Sequence, residues 1–284
     1  MLEGDITNVM SVDVEDYFQV GAFEHTIPRE AWERWPCRVE ANVERILALF
    51  ERHGIHATFF TLGWIAERHP MVVRRIVAHG HELASHGYGH QRASHLSQAE
   101  FRADVSRAKS LLEDLGGVPV RGYRAPSFSI GQTNLWALDV LAETGHRYSS
   151  SIYPIAHDHY GMPGAPRFPY RPEATPSLLE MPPTTVDWHG RNLPAAGGGF
   201  FRLLPYAASR WLIDRVNRTD GRPAMFYFHP WEVDPDQPRV PGAPLKSRFR
   251  HYVNLGRMEA KLDRLCRDFR WGRADRVYAR ELAA

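Results

Sequence analysis

The 284-residue sequence lacks the features that mark membrane-spanning and secreted proteins. No segment approaches the roughly 18 consecutive apolar residues that a transmembrane helix needs. The first residues, MLEGDITNVM, do not contain the apolar core of a secretory signal. The formal net charge is only +2, so composition indicates neither a nucleic-acid partner nor a membrane surface. We therefore expect a cytoplasmic protein without a transmembrane segment.

Cysteine is scarce as well. Cys37 and Cys266 are far apart in the chain, and their spacing is not that of a metal site. We predict two unpaired thiols, which fit a reducing compartment. A chain of this length can bury a full core without disulfides, and the sequence has no internal repeat or low-complexity tract. We expect one domain over residues 1–284.

Strand and helix patterns alternate along the sequence. Short apolar or β-branched segments predict strands at 9–14, 56–61, 82–85, 118–123, 148–153, 178–181 and 224–229. Amphipathic periodicity predicts helices at 39–53, 70–78, 98–115, 133–144, 205–216 and 258–269. A capping box formed by Ser97 and Glu100 marks the start of the third helix. The alternation indicates an α/β fold with a parallel sheet, and the number of repeats favours a barrel.

Two segments do not fit this alternation. Residues 154–176 are rich in proline, glycine, histidine and tyrosine, and residues 189–204 include three consecutive glycines. Loops of this length are uncommon unless they are functional or disordered. We expect both segments to be loops around the mouth of a site; the alternative is that they are surface loops with no role.

Ionisable residues stand at or just beyond the ends of four predicted strands. They are Asp13, His86, Arg124 and His229. In barrels of parallel strands, reactive groups lie at the carboxyl ends of the strands. Core packing does not explain four ionisable residues in equivalent positions, so we expect these side chains to meet at one rim of the barrel.

Two of the candidate residues are histidines with metal-ligand chemistry. His86 and His90 are four residues apart, and the two glycines between them make a helix unfavourable. A strand end followed by a turn would direct both rings toward one ion. Neutral imidazole binds zinc and other late divalent metals. The pair therefore predicts a metal site.

An acidic run after the first predicted strand offers the carboxylates that such a site needs. Asp13, Glu15 and Asp16 are the candidates. A catalytic metal keeps one position for water, and a second carboxylate beside that water can act as general base. Strand alternation puts Glu15 on the same face as Asp13, whereas a tight turn would bring in Asp16. Both candidates for the metal carboxylate stay open, and a solvated turn is the alternative to a site.

Arg124 and His229 fit the remaining parts of such a site. A guanidinium can hold a carboxylate in a fixed orientation through paired hydrogen bonds, so Arg124 is a candidate to orient the base. His229 ends a very apolar predicted strand, where it could act as an acid or be a structural histidine. A surface ion pair is the alternative for Arg124.

The ordered motifs resemble those of polysaccharide deacetylases of the NodB-homology type, carbohydrate esterase family 4. In chain order, the matching segments are 13–16, 57–60, 85–86 with His90, 124–126 and 228–230. Segments 11–18 and 228–232 further resemble the branch associated with bacterial exosortase and exopolysaccharide gene clusters. The resemblance implies a distorted (β/α) barrel with about seven parallel strands. It also implies a Zn²⁺ site, or a site for another divalent metal such as Co²⁺ or Ni²⁺.

The resemblance also implies residue roles. Asp13 would be the base, Arg124 its orienting partner and His229 the acid, while His86, His90 and Glu15 or Asp16 would hold the metal. We expect Asp187 to orient His229. Candidate substrate-binding residues are Tyr17, Pro126, Trp188 and Trp231.

Two positions depart from the family pattern. The family has two adjacent aspartates at its first motif, but here Val14 follows Asp13. Ser149 stands where the related branch has an aspartate. The first departure leaves the metal carboxylate undecided, and the second argues against a role for position 149.

The implied function is removal of N-acetyl groups from a hexosamine-containing glycan in exopolysaccharide biosynthesis. The substrate would be an N-acetylated glycan or a lipid-linked oligosaccharide, with no nucleic acid involved. Two alternatives remain. One is a hydrolase of a non-sugar amide, such as a cyclic imide or ureide, and the other is a catalytically impaired glycan-binding protein.

Overall fold

A curled parallel sheet lies at the centre of the computed structural model, which describes residues 6–156 and 160–284. Within the described residues, the strands are β1 (Thr7–Val14), β2 (Thr58–Thr61), β3 (Glu82–Ser85), β4 (Gly122–Tyr123), β5 (Tyr148–Ser149), β6 (Leu179–Glu180), β7 (Thr185–Trp188), β8 (Arg191–Pro194), β9 (Met225–Phe228) and β10 (Arg270–Gly272). β7 and β8 form a separate antiparallel hairpin, and the other strands belong to the sheet.

The sheet has the order β9-β1-β2-β3-β4-β5-β6, and β10 pairs with the start of β1. All of these pairings are parallel. The curl brings the chain after β6 back to β9, where the backbone N–H of Thr184 donates to the carbonyl of Met225 at 3.3 Å. The predicted distorted barrel of about seven parallel strands is confirmed.

Helices cover the outside of the sheet. Within the described residues they are α1 (Val39–Arg52), α2 (Gly63–Arg68), α3 (Pro70–Ala78), α4 (Gln98–Gly116), α5 (Trp136–Glu143), α6 (Gly198–Leu203), α7 (Tyr206–Arg215), α8 (Leu245–Tyr252), α9 (Met258–Asp268), α10 (Ala274–Val277) and α11 (Ala279–Ala283). The apolar face of α1 shows how they pack, because Phe50 contacts Phe59 of β2 and Phe228 of β9 at ring distances of 6.2 and 6.3 Å. Across the described residues, no helix combines the length and apolar composition needed to span a bilayer. Cys37 and Cys266 are free thiols, as predicted.

The two strands that shorten most relative to the prediction do so because side chains replace the backbone hydrogen bonds between strands. Residues 148–153 were expected to be one strand, but β5 ends at Ser149. The backbone N–H groups of Ser151 and Ile152 instead donate to the buried carboxylate of Glu180, each at 2.8 Å. Residues 118–123 likewise shorten to β4, since the N–H of Val120 donates to a carboxylate of α4.

The prediction of a loop over 189–204 is wrong. Its first part completes the β7–β8 hairpin, and its last part forms α6. His189 and Gly190 connect the two strands with φ angles of 52° and 77°, which is the left-handed backbone that tight hairpin turns require. In the described part of 154–176 the chain is irregular apart from a bridge between Tyr170 and Glu180, and residues 157–159 lie outside the described residues.

The capping box at the start of α4 is present as predicted. The Ser97 hydroxyl accepts from the N–H of Glu100 at 3.3 Å, and the Glu100 carboxylate accepts from the N–H of Ser97 at 2.9 Å.

Ser97→Ala should lower the free energy of unfolding by about 1 kcal/mol, because one helix N–H loses its acceptor. Ser110→Ala, an exposed position inside the same helix, is the matched control and should have little effect. Equal denaturation midpoints for the two variants would show that the cap contributes nothing.

Candidate active site

Four strand ends bring ionisable side chains to one rim of the barrel. Asp13 is the next-to-last residue of β1, His86 follows β3, Arg124 follows β4, and His229 follows β9. Parallel pairing places these strand ends at the same edge of the sheet. Arg124 contacts both Asp13 and His86, and His229 faces Asp13 across the rim. The structure thus brings together the residues that the sequence placed at the strand ends.

Glu15, His86 and His90 form a cluster that could hold a metal ion. One potential ligand atom from each residue lies within 4.8 Å of the others, and all three side chains are buried. The Nδ1 atom of His86 is 2.8 Å from the carbonyl oxygen of Arg124. A carbonyl oxygen only accepts, so Nδ1 carries the hydrogen and Nε2 is left with a lone pair for an ion.

A fixed turn after β3 turns His90 back toward His86. His90 has left-handed backbone, with a φ of 51°. Arg29 holds this turn, because its guanidinium donates to the carbonyl oxygens of Gly89 at 2.6 Å and of His90 at 3.1 Å. The two imidazole rings lie 5.5 Å apart. The strand end and turn expected from the glycines are therefore what positions the two histidines.

The protonation states of the cluster suit a metal. Burial alone would raise the pKa of the Glu15 carboxyl, but His90 and His229 outweigh it and hold this pKa at about 2. Burial lowers the pKa of His86 to about 4. An ionised carboxylate and a neutral imidazole are the forms that bind zinc and related divalent ions.

One atom of this cluster is short of a partner. Glu15 Oε2 is buried and makes no hydrogen bond of acceptable geometry within the described part of the chain. It nevertheless lies 2.6 Å from Nε2 of His90. A short contact without hydrogen-bond geometry is expected where two side chains are ligands of one cation, so Glu15, His86 and His90 fit a metal.

The structure separates Asp16 from this cluster. Its Oδ2 accepts hydrogen bonds from the backbone N–H groups of Arg38 and Val39 at 2.6 and 3.0 Å, and its Oδ1 accepts from the N–H of Tyr17. The carboxylate therefore accepts hydrogen bonds from the backbone at the start of α1. This is a correction to Asp16 as a metal-ligand candidate, because its oxygens are already satisfied away from the histidines.

Asp13 forms a buried ion pair with Arg124. The Nη1 atom of Arg124 donates to Oδ1 of Asp13 at 2.6 Å, and also to the hydroxyl of Ser11 at 3.0 Å. Ser150 accepts two further hydrogen bonds from the same guanidinium, at 3.3 and 2.9 Å. Arg124 is fully buried and lies over the ring of Phe60 at 4.1 Å. Its position is thus fixed on several sides, and Asp13 is fixed with it.

His229 is held by a carboxylate that sequence reasoning missed. Its Nδ1 lies 2.8 Å from Oε1 of Glu232, and Oε2 of Glu232 accepts from Arg202 at 2.6 Å. The expectation that Asp187 orients His229 is wrong, because Asp187 is exposed on β7 and accepts from the N–H of Gly190. The available signal was the Pro-Trp-Glu sequence after His229, which predicts a helical turn that returns residue 232 to residue 229.

The charges around His229 keep it protonated. Burial disfavours the imidazolium, but the carboxylates of Glu15, Glu232 and Asp13 together raise the pKa of His229 to about 9. The Nε2 atom lies 3.6 Å from Oε1 of Glu15 and 4.0 Å from Oδ2 of Asp13. A proton donor therefore stands beside both the candidate base and the candidate metal ligand.

Three of the four predicted substrate-binding residues are buried. Tyr17 has no exposed surface, and Pro126 begins a short buried turn. Trp231 is stacked between the rings of His229 and His251, and its Nε1 donates to Glu15 at 3.3 Å. The prediction that a sugar stacks on Tyr17 or Trp231 is therefore wrong, since neither ring face is accessible.

Trp188 differs from these residues because it is exposed. Its exposed fraction is 46%. Trp188 is the last residue of β7, and its ring packs against that of Trp211 in α7, with ring centroids 6.0 Å apart. Stacking of a sugar on Trp188 stays a prediction.

Comparison with known proteins gives two adjoining family matches. Residues 32–149 match the family described as polysaccharide deacetylase. Residues 150–279 match a domain of unknown function, DUF3473. The boundary between the matches falls at the end of β5, inside the parallel sheet. Both matched regions therefore contribute strands to the same barrel.

Individual relatives agree with the first match. A peptidoglycan-N-acetylglucosamine deacetylase from Bacillus cereus is 32% identical over 96 residues, which cover 34% of this chain and 35% of that protein. The match thus spans about a third of the length of that curated relative.

Two solved structures share the fold over nearly the whole chain. A candidate polysaccharide deacetylase from Mycobacterium smegmatis has a TM-score of 0.61 at 21% identity, covering 99% of this chain and 94% of that one. The allantoinase Puue has a TM-score of 0.60 at 17% identity, covering 99% and 91%. These structures support the fold, and the two family matches show that the chain contains a polysaccharide deacetylase domain, matched over residues 32–149, joined to a DUF3473 segment.

Proposed function

We propose that this protein is a divalent-metal-dependent hydrolase that removes N-acetyl groups from a hexosamine-containing glycan. One observation carries the proposal. A metal-binding cluster, a carboxylate held by an arginine and a histidine held by a glutamate meet at one rim, with Oδ2 of Asp13 and Nε2 of His229 4.0 Å apart. Amide hydrolysis at a metal site can use these three kinds of group together, as Lewis acid, general base and general acid.

Glu15, His86 and His90 are the residues that would hold the metal. Their oxygen and nitrogen donors suit Zn²⁺, and Co²⁺ or Ni²⁺ are the alternatives. When bound, a divalent metal stabilises negative charge on the acetyl carbonyl oxygen and makes water a stronger nucleophile at neutral pH. The interruption of the family motif by Val14 does not deprive the site of a carboxylate, because Glu15 reaches the histidines.

Asp13 acts as the general base. Its Oδ1 is engaged by Arg124, so Oδ2 is the oxygen that accepts a proton from the attacking water. The fixed guanidinium keeps Oδ2 directed at the rim, because Arg124 is itself held by Ser11 and Ser150. Positioning of this kind lowers the barrier without any movement of the base during the reaction.

His229 acts as the general acid. An amine leaves only when it is protonated, and the imidazolium of His229 donates that proton from Nε2, since Nδ1 is bound to Glu232. Against the effect of burial, Glu15 and Glu232 raise the pKa of His229, and Glu232, which lies outside the metal-ligand cluster, favours the protonated imidazole through its hydrogen bond to Nδ1. Arg202 holds Glu232 and thereby keeps the donor aimed at the rim.

The sugar substrate and the biological setting are inferred from relatives. The B. cereus relative is named for peptidoglycan N-acetylglucosamine, which supports an N-acetylhexosamine as substrate class. The motifs around Asp13 and His229 support a place in exopolysaccharide biosynthesis, with a lipid-linked oligosaccharide as one form of substrate. The cytoplasmic location stays a prediction.

A cyclic ureide is the second candidate substrate. The whole-chain similarity to an allantoinase, with a TM-score of 0.60, nearly equals that to the M. smegmatis protein. Fold similarity therefore does not separate the two reactions. Both reactions open an amide bond, so the substrate has to be tested directly.

Acetate release decides between these functions. The purified protein, loaded with zinc, should release acetate from oligomers of N-acetylglucosamine and leave allantoin intact. Treatment with a chelator should remove the activity, and added metal should restore it. Turnover of allantoin without acetate release would replace the proposal with the ureide reaction. Binding of the oligomers without any turnover would indicate an impaired enzyme.

Metal content tests the ligand assignment. We expect about one divalent ion per chain, as at a single catalytic site, measured by elemental analysis after gel filtration. Glu15→Gln, or His86→Ala with His90→Ala, should lose it. Asp16→Asn is the matched control, because it should keep the metal but lower the unfolding temperature through its lost contacts with α1. Full metal occupancy in Glu15→Gln would contradict the assignment.

Asp13→Asn tests the base. The variant should bind metal normally, because Asp13 is outside the ligand cluster, and should lose at least about 100-fold in kcat through loss of the general base. Metal content and acetate release are measured on the same sample. An empty metal site in Asp13→Asn, with an intact one in Glu15→Gln, would reverse the roles of the two carboxylates.

His229→Ala tests the acid by comparing two leaving groups. An aryl acetate releases a phenolate that needs no proton, whereas an acetamide releases an amine that does. The variant should therefore lose roughly 10-fold or more on the acetamide beyond any loss on the aryl acetate. Glu232→Gln should shift the two activities in the same sense but less strongly. Equal losses on both substrates would instead indicate a metal-binding or structural role for His229.

A further inference from the structure

The segment around α8 carries a concentration of positive charge that the near-neutral total conceals. Residues 237–258 contain no aspartate or glutamate. The same segment contains Arg239, Lys246, Arg248, Arg250 and Arg257. The three basic residues of α8 itself are exposed. This surface therefore attracts anions although the whole chain has a formal charge of only +2.

Two large apolar side chains project from the same helix. Leu245 is 81% exposed and Phe249 is 61% exposed, the highest values among the large hydrophobic residues of the described chain. They are four residues apart, so they lie on one face of the helix. At 3.6 residues per turn, Lys246 and Arg250 flank this face on one side and Arg248 flanks it on the other. An apolar strip with cations on both sides is the pattern of a helix that lies in a lipid interface.

The opposite side of α8 is built into the candidate active site. His251 is buried, and its ring stacks on Trp231 at 4.1 Å. Trp231 stacks in turn on His229 at 5.2 Å. The carbonyl oxygens of Arg250 and His251 accept from Arg202 at 3.1 and 2.8 Å. The exposed face of α8 is thus separated from the general acid by two stacked rings.

We propose that α8 docks the protein on the surface of an anionic lipid bilayer. Leu245 and Phe249 enter the interface between headgroups and acyl chains, and the flanking cations contact the anionic headgroups. A polysaccharide fits this surface less well, because only Phe249 offers an aromatic face and the more exposed Leu245 offers none. The docking would hold the rim near a lipid-linked oligosaccharide. Only this last consequence depends on the proposed function.

Co-sedimentation with lipid vesicles tests the docking without any turnover. The protein should bind vesicles of phosphatidylcholine mixed with phosphatidylglycerol, and should bind pure phosphatidylcholine at least about 10-fold more weakly. Added salt should weaken the binding, because it screens the exposed cations. Equal binding to both kinds of vesicle, or binding to neither, overturns the proposal.

Paired substitutions locate the surface. Leu245→Ser with Phe249→Ser should weaken vesicle binding roughly 10-fold or more, because the apolar contacts with lipid are lost. Met71→Ser with Leu135→Ser, which removes exposed apolar side chains elsewhere, is the matched control and should bind like the wild type. Equal binding by the two pairs overturns the assignment to α8.

A second pair of variants tests the charge. Lys246→Glu with Arg248→Glu should abolish binding to anionic vesicles. Arg74→Glu with Arg121→Glu changes the net charge equally at other exposed positions, and this variant should retain most of the vesicle binding. If both pairs lose binding equally, the attraction comes from net charge rather than from α8.

Activity on a soluble substrate separates this proposal from the preceding one. Both α8 variants should keep the unfolding temperature of the wild type and its acetate release from soluble oligomers. Vesicle binding by a protein that releases no acetate would support the docking and contradict the reaction. Acetate release by a wild-type protein that does not bind vesicles would overturn the docking alone. Retention by an immobilised anionic polysaccharide, with no vesicle binding, would replace the lipid surface with a glycan.

Discussion

Three buried carboxylates at the end of β1 place the strongest constraint on this structure. Asp13, Glu15 and Asp16 lie within four residues and are each at most 3% exposed. A buried carboxylate is costly unless it is paired, and leaving one unpaired costs about 3–5 kcal/mol. The fold gives each a different partner: Arg124 for Asp13, the histidines for Glu15, and the start of α1 for Asp16. These different partners determine which carboxylate is available as a base and which as a metal ligand.

The site is shared between the two regions that match different families. The chain before residue 32 supplies Asp13 and Glu15, and residues 32–149 supply His86, His90 and Arg124. The DUF3473 segment supplies His229, the proposed acid, together with Glu232 and Arg202, which hold it in place. The second segment is therefore not an appendage to a complete enzyme. It contributes strands β6 and β9 to the barrel and carries the histidine proposed as proton donor.

Sequence reasoning placed the residues at strand ends correctly because parallel strands bring those ends together. Helices such as 70–78 were also predictable, since proline and glycine mark their limits. Partners that are remote in sequence could not be found in this way: Arg202 meets Glu232 across 30 residues. The burial of Tyr17 and Trp231 was equally hidden, because an aromatic residue type does not indicate whether its face meets solvent or another ring. The predicted length of β5 was wrong because the Glu180 carboxylate accepts the backbone hydrogen bonds that a neighbouring strand would otherwise accept.

The proposed chemistry depends most directly on which side chains bind a metal ion. Anomalous scattering from crystals of the zinc-loaded protein measures this without reference to any substrate. We expect one peak at about 2.0–2.2 Å from a carboxylate oxygen of Glu15 and from a ring nitrogen each of His86 and His90, with Asp13 still bound to Arg124. A peak on Asp13 or Asp16, or no peak at the rim, would contradict the account.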